Sequence, residues 1–298
     1  MMFSGILIGL FSAFLQSCSY IFSRRFLLKH ASPVQLVFNA QTVMMIPAGL
    51  ILALLSLRVT VPWSWEMAAW LTGFAGIGVL GNFAFFRAIQ EIEASRIASL
   101  MGLKLVVLAI LTALFWGEVP SPLQMLAILL AAISAVGMNF TGGKLPRRGS
   151  LYLALNLFCY AVTDIAAAKL TGMIHSGSVM LDGMTATAAA FLALGIVSLP
   201  VLLLLGFSLQ RFRDAAPYGL FWISAMNLLF VSFGMIGVMY GTIVQSSRGL
   251  ISILLGVVLL RIGFDKLEPR VGRAAWVRRT VMALLMIAAI ALYAVSKF

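Results

Sequence analysis

The sequence predicts an all-α, polytopic membrane protein whose ten transmembrane helices form two inverted five-helix repeats around a central cavity. Composition predicts the class, because 62% of the 298 residues are hydrophobic and only 10% are charged. Mean hydropathy is +1.07, well above the values of soluble proteins, whose surfaces must carry charge. The similarity of the two halves of the chain predicts the repeat.

Apolar segments of about 20 residues, the length that crosses the hydrocarbon core as a helix, recur along the whole chain. Short linkers with turn-forming residues separate them, such as GEVPSP at 117–122 and TGGKLPRRGS at 141–150. These linkers leave no room for a soluble domain. The predicted spans are 3–22, 33–57, 67–90, 95–116, 122–140, 150–170, 180–206, 217–241, 246–263 and 275–296.

The two halves resemble each other at a shift of about half the chain. GFAGIGVLGN at 73–82 matches SFGMIGVMYG at 232–241, and EASR at 93–96 matches QSSR at 245–248. Because five helices is an odd number, the second half enters the membrane from the opposite face. We therefore predict a first repeat in residues 1–143 and an inverted repeat in residues 144–298, with the binding site at their interface.

The net charge of +12 does not indicate nucleic-acid binding, because most basic residues lie in linkers, where they set topology beside anionic lipid. His30 and His175 lack metal-ligand spacing, and Cys18 and Cys159 lie in apolar segments as packing residues. No hydrolase or phosphate-binding motif is present. We expect no metal, no cofactor and no nucleic-acid partner, but a lipid bilayer, a small-molecule substrate and a monomer or weak dimer.

Lys104 lies within the apolar segment SLMGLKLVVLAILTALFWGE at 99–118. An unpaired ammonium at that depth costs at least about 2.5–3.5 kcal/mol, so a partner or a ligand is expected nearby. Asp164 is the acidic residue clearly inside a span, on one helix face with Tyr160 and Asn156. Two interpretations stay open and are compatible: Asp164 exchanges a proton in a proton-coupled carrier, or it forms an ion pair with Lys104.

Polar and aromatic side chains in the other predicted spans complete the candidate site. Both signs of charge in one cavity favour a charged or zwitterionic substrate. The structural alternative is that amides bond neighbouring helices and that Arg96 and Arg248, near helix ends, extend to the headgroups. The predicted substrate-binding residues are Lys104, Asp164, Gln16, Tyr20, Asn82, Phe86, Tyr160, Asn227, Tyr240, Arg248 and Ser252.

The stretch FFRAIQEIEASRIASLM at 85–101, followed by LFWGEVPSPLQMLAILLAAISAVGMNF at 114–140, resembles the ten-helix EamA-like branch of the drug/metabolite transporter superfamily. In that family a short Leu-Gly-Glu motif precedes the fifth helix, and Trp116, Gly117 and Glu118 occupy it here. Lys104 and Leu105 stand where the family often has a proline. The second half carries only a weaker version, KLEP at 266–269, so the resemblance is specific in the first half.

The resemblance implies a secondary active transporter of small organic molecules, working by alternating access, with a cavity lined by helices 1, 3, 4, 6, 8 and 9. It favours an amino-acid-like exporter in a cell membrane, specifically a bacterial inner membrane. An organic anion or phosphate carrier is one alternative, and a membrane-embedded enzyme acting on lipid headgroups is an alternative of another class. Linker charge predicts both termini outside, whereas the resemblance implies cytoplasmic termini.

Overall fold

The computed structural model describes residues 2–92, 100–117, 119–138, 145–251, 254–255 and 273–296. These residues are helical almost throughout, and a short 3-10 helix at Met101–Leu103 leads into the fourth α-helix. The α-helices are α1 (Met2–His30), α2 (Pro33–Leu55), α3 (Trp65–Glu91), α4 (Lys104–Trp116), α5 (Pro122–Met138), α6 (Arg147–Met173), α7 (Val179–Leu204), α8 (Leu209–Ile236), α9 (Val238–Ser246) and α10 (Arg273–Val295).

Within the described part of the chain, seven helices are long and apolar enough to cross a membrane, namely α1, α2, α3, α6, α7, α8 and α10. Helices α4 and α5 are apolar but shorter. The predicted all-helical class is thus confirmed for the described residues, and these helices are consistent with a polytopic membrane protein. The number of ten spans stays a prediction, since most of the segment 246–263 lies outside the described residues.

Proline marks the predicted start of a helix at Pro33, where α2 begins, but not at Pro217. A boundary before Pro217 was expected, but α8 begins at Leu209 and continues through this proline. Pro47 and Pro200 likewise lie inside α2 and α7. Each removes one backbone N–H donor, a loss that neighbouring helices of a membrane bundle compensate.

Gly237 interrupts the segment that was predicted as one helix over 217–241. Helix α8 ends at Ile236, Gly237 has φ 85° and ψ 157°, and α9 begins at Val238. Glycine adopts this conformation without the steric penalty that a side chain would add. Discontinuous helices of this kind bring backbone and polar groups to the sites of many transporters.

The most extensive helix contacts all join the first half of the chain to the second. They are α1 with α8, α2 with α7, α3 with α6 and α5 with α10. If each helix is exchanged for its counterpart in the other predicted repeat, the set of pairs stays the same. Two related repeats would require this symmetry. The inversion of the second repeat itself stays a prediction.

The contact between α3 and α6 positions the centre of the bundle. Gly81 lets the helices approach so closely that a Cβ there would lie 2.9 Å from the Cβ of Cys159. The amide nitrogen of Asn156 donates to the Gly81 carbonyl at 2.8 Å. This contact brings Asn82 of α3 beside Tyr160 of α6.

Candidate functional site

A cavity of about 100 Å³ lies among helices of both halves. Its volume is roughly that of three water molecules in the liquid and well below the ~300 Å³ or more of typical ligand pockets. A metabolite can therefore enter only after helices move apart. The polar residues that line it are Gln41, Asn82, Lys104, Tyr160, Thr163, Asp164, Tyr218, Trp222, Gln245 and Arg248.

Lys104 and Asp164 form an ion pair in the wall of this cavity. The ammonium Nζ donates to Oδ2 of Asp164 at 2.6 Å, and the two side chains are only 6% and 13% exposed. Thr242 of α9 donates its hydroxyl to the same carboxylate oxygen at 3.3 Å. The cation in α4 is thus neutralised by the carboxylate in α6, which is one of the two arrangements that the sequence left open.

A chain of hydrogen bonds extends from this ion pair through two glutamines. Lys104 Nζ also donates to Oε1 of Gln245 at 3.1 Å. The Gln245 amide nitrogen donates to Oε1 of Gln16 at 3.1 Å, and Arg248 donates to the same oxygen at 3.1 Å. In the order Asp164, Lys104, Gln245, Gln16, Arg248, each bond joins one half of the chain to the other.

Arg248 is held inside the bundle by its neighbours. Its guanidinium carbon lies 6.0 Å from the centre of the Tyr20 ring, and Tyr20 in turn packs edge-on against Trp222 of α8 at 6.0 Å. The Arg248 carbonyl accepts a hydrogen bond from Ser17 at 3.1 Å. The alternative in which this side chain extends to the headgroups is therefore not its arrangement here.

Asn82 and Tyr160 form a second polar contact of the cavity. The Tyr160 hydroxyl donates to Oδ1 of Asn82 at 2.8 Å, and the Asn82 nitrogen donates to the carbonyl of Gly78 at 2.8 Å. The structure thus brings seven predicted site residues into one region: Gln16, Tyr20, Asn82, Lys104, Tyr160, Asp164 and Arg248.

Residues 3–140 match the model of the EamA-like transporter family. These residues belong to that family. EamA-like proteins are membrane transporters of the drug/metabolite transporter superfamily, and the seven helices of the described residues that are long and apolar enough to cross a membrane are consistent with a multi-pass transporter. The matched range covers nearly all of the first predicted repeat.

Solved structures share this fold, and 29 of their chains match. One of these, described only as the crystal structure of a protein, covers 98% of this chain and 96% of its own, with a TM-score of 0.69. Its sequence identity of 17% makes it evidence for the fold alone. None of the curated proteins matches the chain.

Tyr240 and Asn227, two predicted site residues, neither line the cavity nor join its hydrogen-bond network. Tyr240 is fully buried, donates its hydroxyl to the Ile290 carbonyl at 3.1 Å and stacks on Tyr293. The break at Gly237 makes the direction of α9 independent of α8, so its position could not be extrapolated. Asn227 donates to a carbonyl of its own helix, and its Oδ1 is buried without a hydrogen-bond partner among the described residues.

Several other predicted positions lie outside what the structure describes. They are the Phe86 side chain, Ser252, Arg96 and Glu118. Their roles stay predictions.

Helix α2 was missing from the predicted set of cavity-lining helices. It contributes Val37, Ala40, Gln41 and Met44 to the wall. The segment QLVFNAQT at 35–42 contains the pattern that would have indicated this. Its four polar side chains are all buried, and polar groups in a span avoid lipid because their desolvation is costly.

Proposed function

We propose that the protein is a secondary active transporter that moves a small charged or zwitterionic metabolite across a cell membrane by alternating access. The moving bodies are the two inverted repeats, residues 1–143 and 144–298. The observation that carries this proposal is the buried Lys104–Asp164 ion pair in the cavity wall. An amino-acid-like exporter is favoured, with export resting on the family resemblance.

An amino acid suits the ion pair because its carboxylate and ammonium complement Lys104 and Asp164. A buried charge that loses its partner is strongly destabilised, whereas a charge that exchanges one partner for another is not. A zwitterion can thus open the pair without leaving either ion uncompensated. The Gln245 and Gln16 bonds that extend from this pair also connect the two halves, so motion between the halves must break them as well.

Proton coupling follows from the same exchange of partners. When the substrate carboxylate binds Lys104, Asp164 becomes available to a proton or to the substrate ammonium. Return of Lys104 to Asp164 after substrate release expels that proton. Asp164 is therefore our proposed proton-coupling residue.

An organic anion or phosphate carrier is the second candidate. Of the described residues that line the cavity, Lys104 and Arg248 are cations and Asp164 is an anion, so cations outnumber anions. Carboxylate and phosphate groups bind such paired donors strongly. This alternative predicts exchange of organic anions or phosphate esters but not of amino acids.

Counterflow in proteoliposomes tests the proposal. Vesicles loaded with unlabelled amino acids, organic anions or phosphate esters are mixed with the labelled compound, and we expect exchange of amino acids. Lys104→Met should lower exchange by about tenfold to a hundredfold, the loss expected for a hydrogen bond to a charged group. Asp164→Asn should also lower exchange, because it removes the partner of the substrate ammonium, and the remaining exchange should no longer give accumulation under an imposed pH gradient.

Lys29→Met is the matched control, because Lys29 also pairs with an aspartate, Asp214, at 2.8 Å but is half exposed and outside the cavity. It should exchange substrate as the wild type does. Exchange of no compound in the panel, or wild-type exchange by Lys104→Met, would contradict the proposal.

A further inference from the structure

Gln41 of α2 has no role in the transport scheme above, although it lines the cavity. Gln41 is only 3% exposed. The amide oxygen Oε1 of its side chain contacts the hydroxyl of Ser198 on α7. Among the described residues, the amide nitrogen has no hydrogen-bond partner.

The Ser198 hydroxyl explains why half of this amide stays unsatisfied. The same hydroxyl oxygen lies 2.7 Å from the Leu194 carbonyl, and a hydroxyl has one proton for these two acceptors. If Ser198 donates to Gln41, the amide NH2 group faces the cavity. If Ser198 donates to Leu194, the amide turns over to donate to Ser198, and its oxygen faces the cavity instead.

Tyr218 of α8 adds a second available polar group near this point. Its hydroxyl has no hydrogen-bond partner among the residues that the structure describes, and it also lines the cavity. The next residue, Gly219, lies against Ala40, where a Cβ would be 3.1 Å from the Ala40 carbonyl oxygen. Gln41 and Tyr218 thus adjoin the same contact between α2 and α8.

Gln41 is separated from the ion pair along the bundle. Gly78 of α3 lies against both Leu194 and Thr163, the residue before Asp164. Ser198, the neighbour of Gln41, is one helical turn beyond Leu194, a rise of about 5.4 Å. The other wall residues from α2 and α7 are apolar, namely Val37, Ala40, Met44, Phe191 and Leu194.

We propose that Gln41, with Tyr218 beside it, binds an uncharged hydrogen-bonding group at the far end of the substrate. This inference rests on the proposed function and specifies its substrate class. The substrate has a charged end at Lys104 and Asp164, an apolar body and a hydroxyl, amide or ring N–H at its tip. An analogue with an apolar tip is discriminated against because it leaves the buried amide unsatisfied.

Competition in the counterflow assay tests this with pairs of amino acids that differ at the tip. The pairs are homoserine with 2-aminobutyrate, glutamine with norleucine and tyrosine with phenylalanine. In the wild type we expect the polar member of at least one pair to compete about twofold to tenfold better, the range of one neutral hydrogen bond. Gln41→Leu should abolish this preference, and Tyr218→Phe should reduce it.

Gln35→Leu is the matched control, since it makes the same change on the same helix. Gln35 bonds the Leu205 carbonyl and does not line the cavity, so this variant should keep the preference. Because the readout is a ratio within each pair, loss of protein stability does not change it.

The outcomes separate the two proposals. No preference in the wild type, a preference retained by Gln41→Leu, or an equal loss in Gln35→Leu overturns the role of Gln41 and leaves the transport function intact. Failure of every amino acid to compete in the wild type overturns the proposed zwitterion transport and this inference with it.

Discussion

Lys104 keeps an ammonium group inside an apolar bundle because it donates to two oxygen atoms, one from Asp164 and one from Gln245. Desolvation of both ions opposes the attraction between them, so such a pair contributes little net stability. Loss of a single partner is different, because the remaining ion stays buried without compensation. The pair is therefore suited to exchange partners rather than to hold the fold together.

The difference between losing one ion and losing both predicts how charge variants change stability. Lys104→Met should lower the free energy of unfolding by about 3–5 kcal/mol, since it leaves the Asp164 carboxylate unpaired. Lys104→Met combined with Asp164→Asn removes both charges and should recover most of that loss without recovering transport. Thermal unfolding of the purified protein in detergent measures both effects. A double variant as unstable as the single one would refute this account.

At the residue scale, the sequence identifies charged site residues more readily than site residues with an amide side chain. Lys104 and Asp164 could be identified because a charge in an apolar span is rare and needs a partner. Gln245 and Gln41 could not be identified, because a side-chain amide can form hydrogen bonds with many different neighbours. Tertiary packing decides which neighbour it bonds. Tyr240 shows the same limit, since its hydroxyl bonds a carbonyl of α10.

At the scale of elements, the break between α8 and α9 sets the direction in which Thr242 and Gln245 point. It depends on Gly237, whose φ of 85° is one that residues with a side chain rarely adopt. Helix α9 then packs against α1 and α10. A short, separately oriented helix thus supplies part of the polar network.

Substitution of this glycine should destabilise the fold, because the backbone at the break would then be strained. Gly237→Ala is expected to lower the free energy of unfolding by about 1–3 kcal/mol, the cost of a residue in a sparsely populated backbone region. Gly172→Ala is the control, because Gly172 lies in α6 with no atom within 4 Å of an added Cβ. Thermal unfolding of the two variants side by side gives the comparison. Equal stability would show that the break imposes no backbone strain.

Hydropathy predicted which segments enter the membrane but not where their backbones break. Gly234, Gly237 and Gly241 all lie within SFGMIGVMYG, and only Gly237 of these has a positive φ. No local feature distinguishes it, because the packing of α8 and α9 against other helices selects the break. Pro217 is the converse case, a residue that usually ends helices and here lies inside one.

At the scale of the whole molecule, the chain of hydrogen bonds from Asp164 through Lys104, Gln245 and Gln16 to Arg248 crosses between the halves at every bond. Relative motion of the halves must therefore break it, and a covalent link beside it should stop that motion. A Cβ at Gly9 of α1 would lie 3.5 Å from the Cβ of Val244 of α9, within the range of about 3.5–4.5 Å for disulfides.

The double variant Gly9→Cys with Val244→Cys, in a background without Cys18 and Cys159, should exchange substrate when reduced. Oxidation should stop exchange, and reduction should restore it, because the link joins the two halves beside Gln245. Each single cysteine variant is the control and should be indifferent to oxidant. Undiminished exchange by fully cross-linked protein would exclude movement between α1 and α9 from the transport cycle.

The overall architecture could be predicted to the level of class and family, because hydropathy and the motif around Trp116 are properties of the chain itself. The pairing of α2 with α7 could not, since both segments are simply apolar at the level of composition. The contribution of α2 to the cavity wall could not be predicted either. It depends on which face of α2 is left uncovered by the helices that pack against it.

The pairing of helices across the halves has a consequence for how the chain is made. Lys104 precedes its partner Asp164 by 60 residues, which a ribosome adds in roughly 3–12 s at about 5–20 residues per second. During that interval the lysine lacks the counterion with which it pairs in the fold. Until Asp164 follows, an ammonium carried into the hydrocarbon needs a temporary partner, such as translocon groups or lipid phosphate.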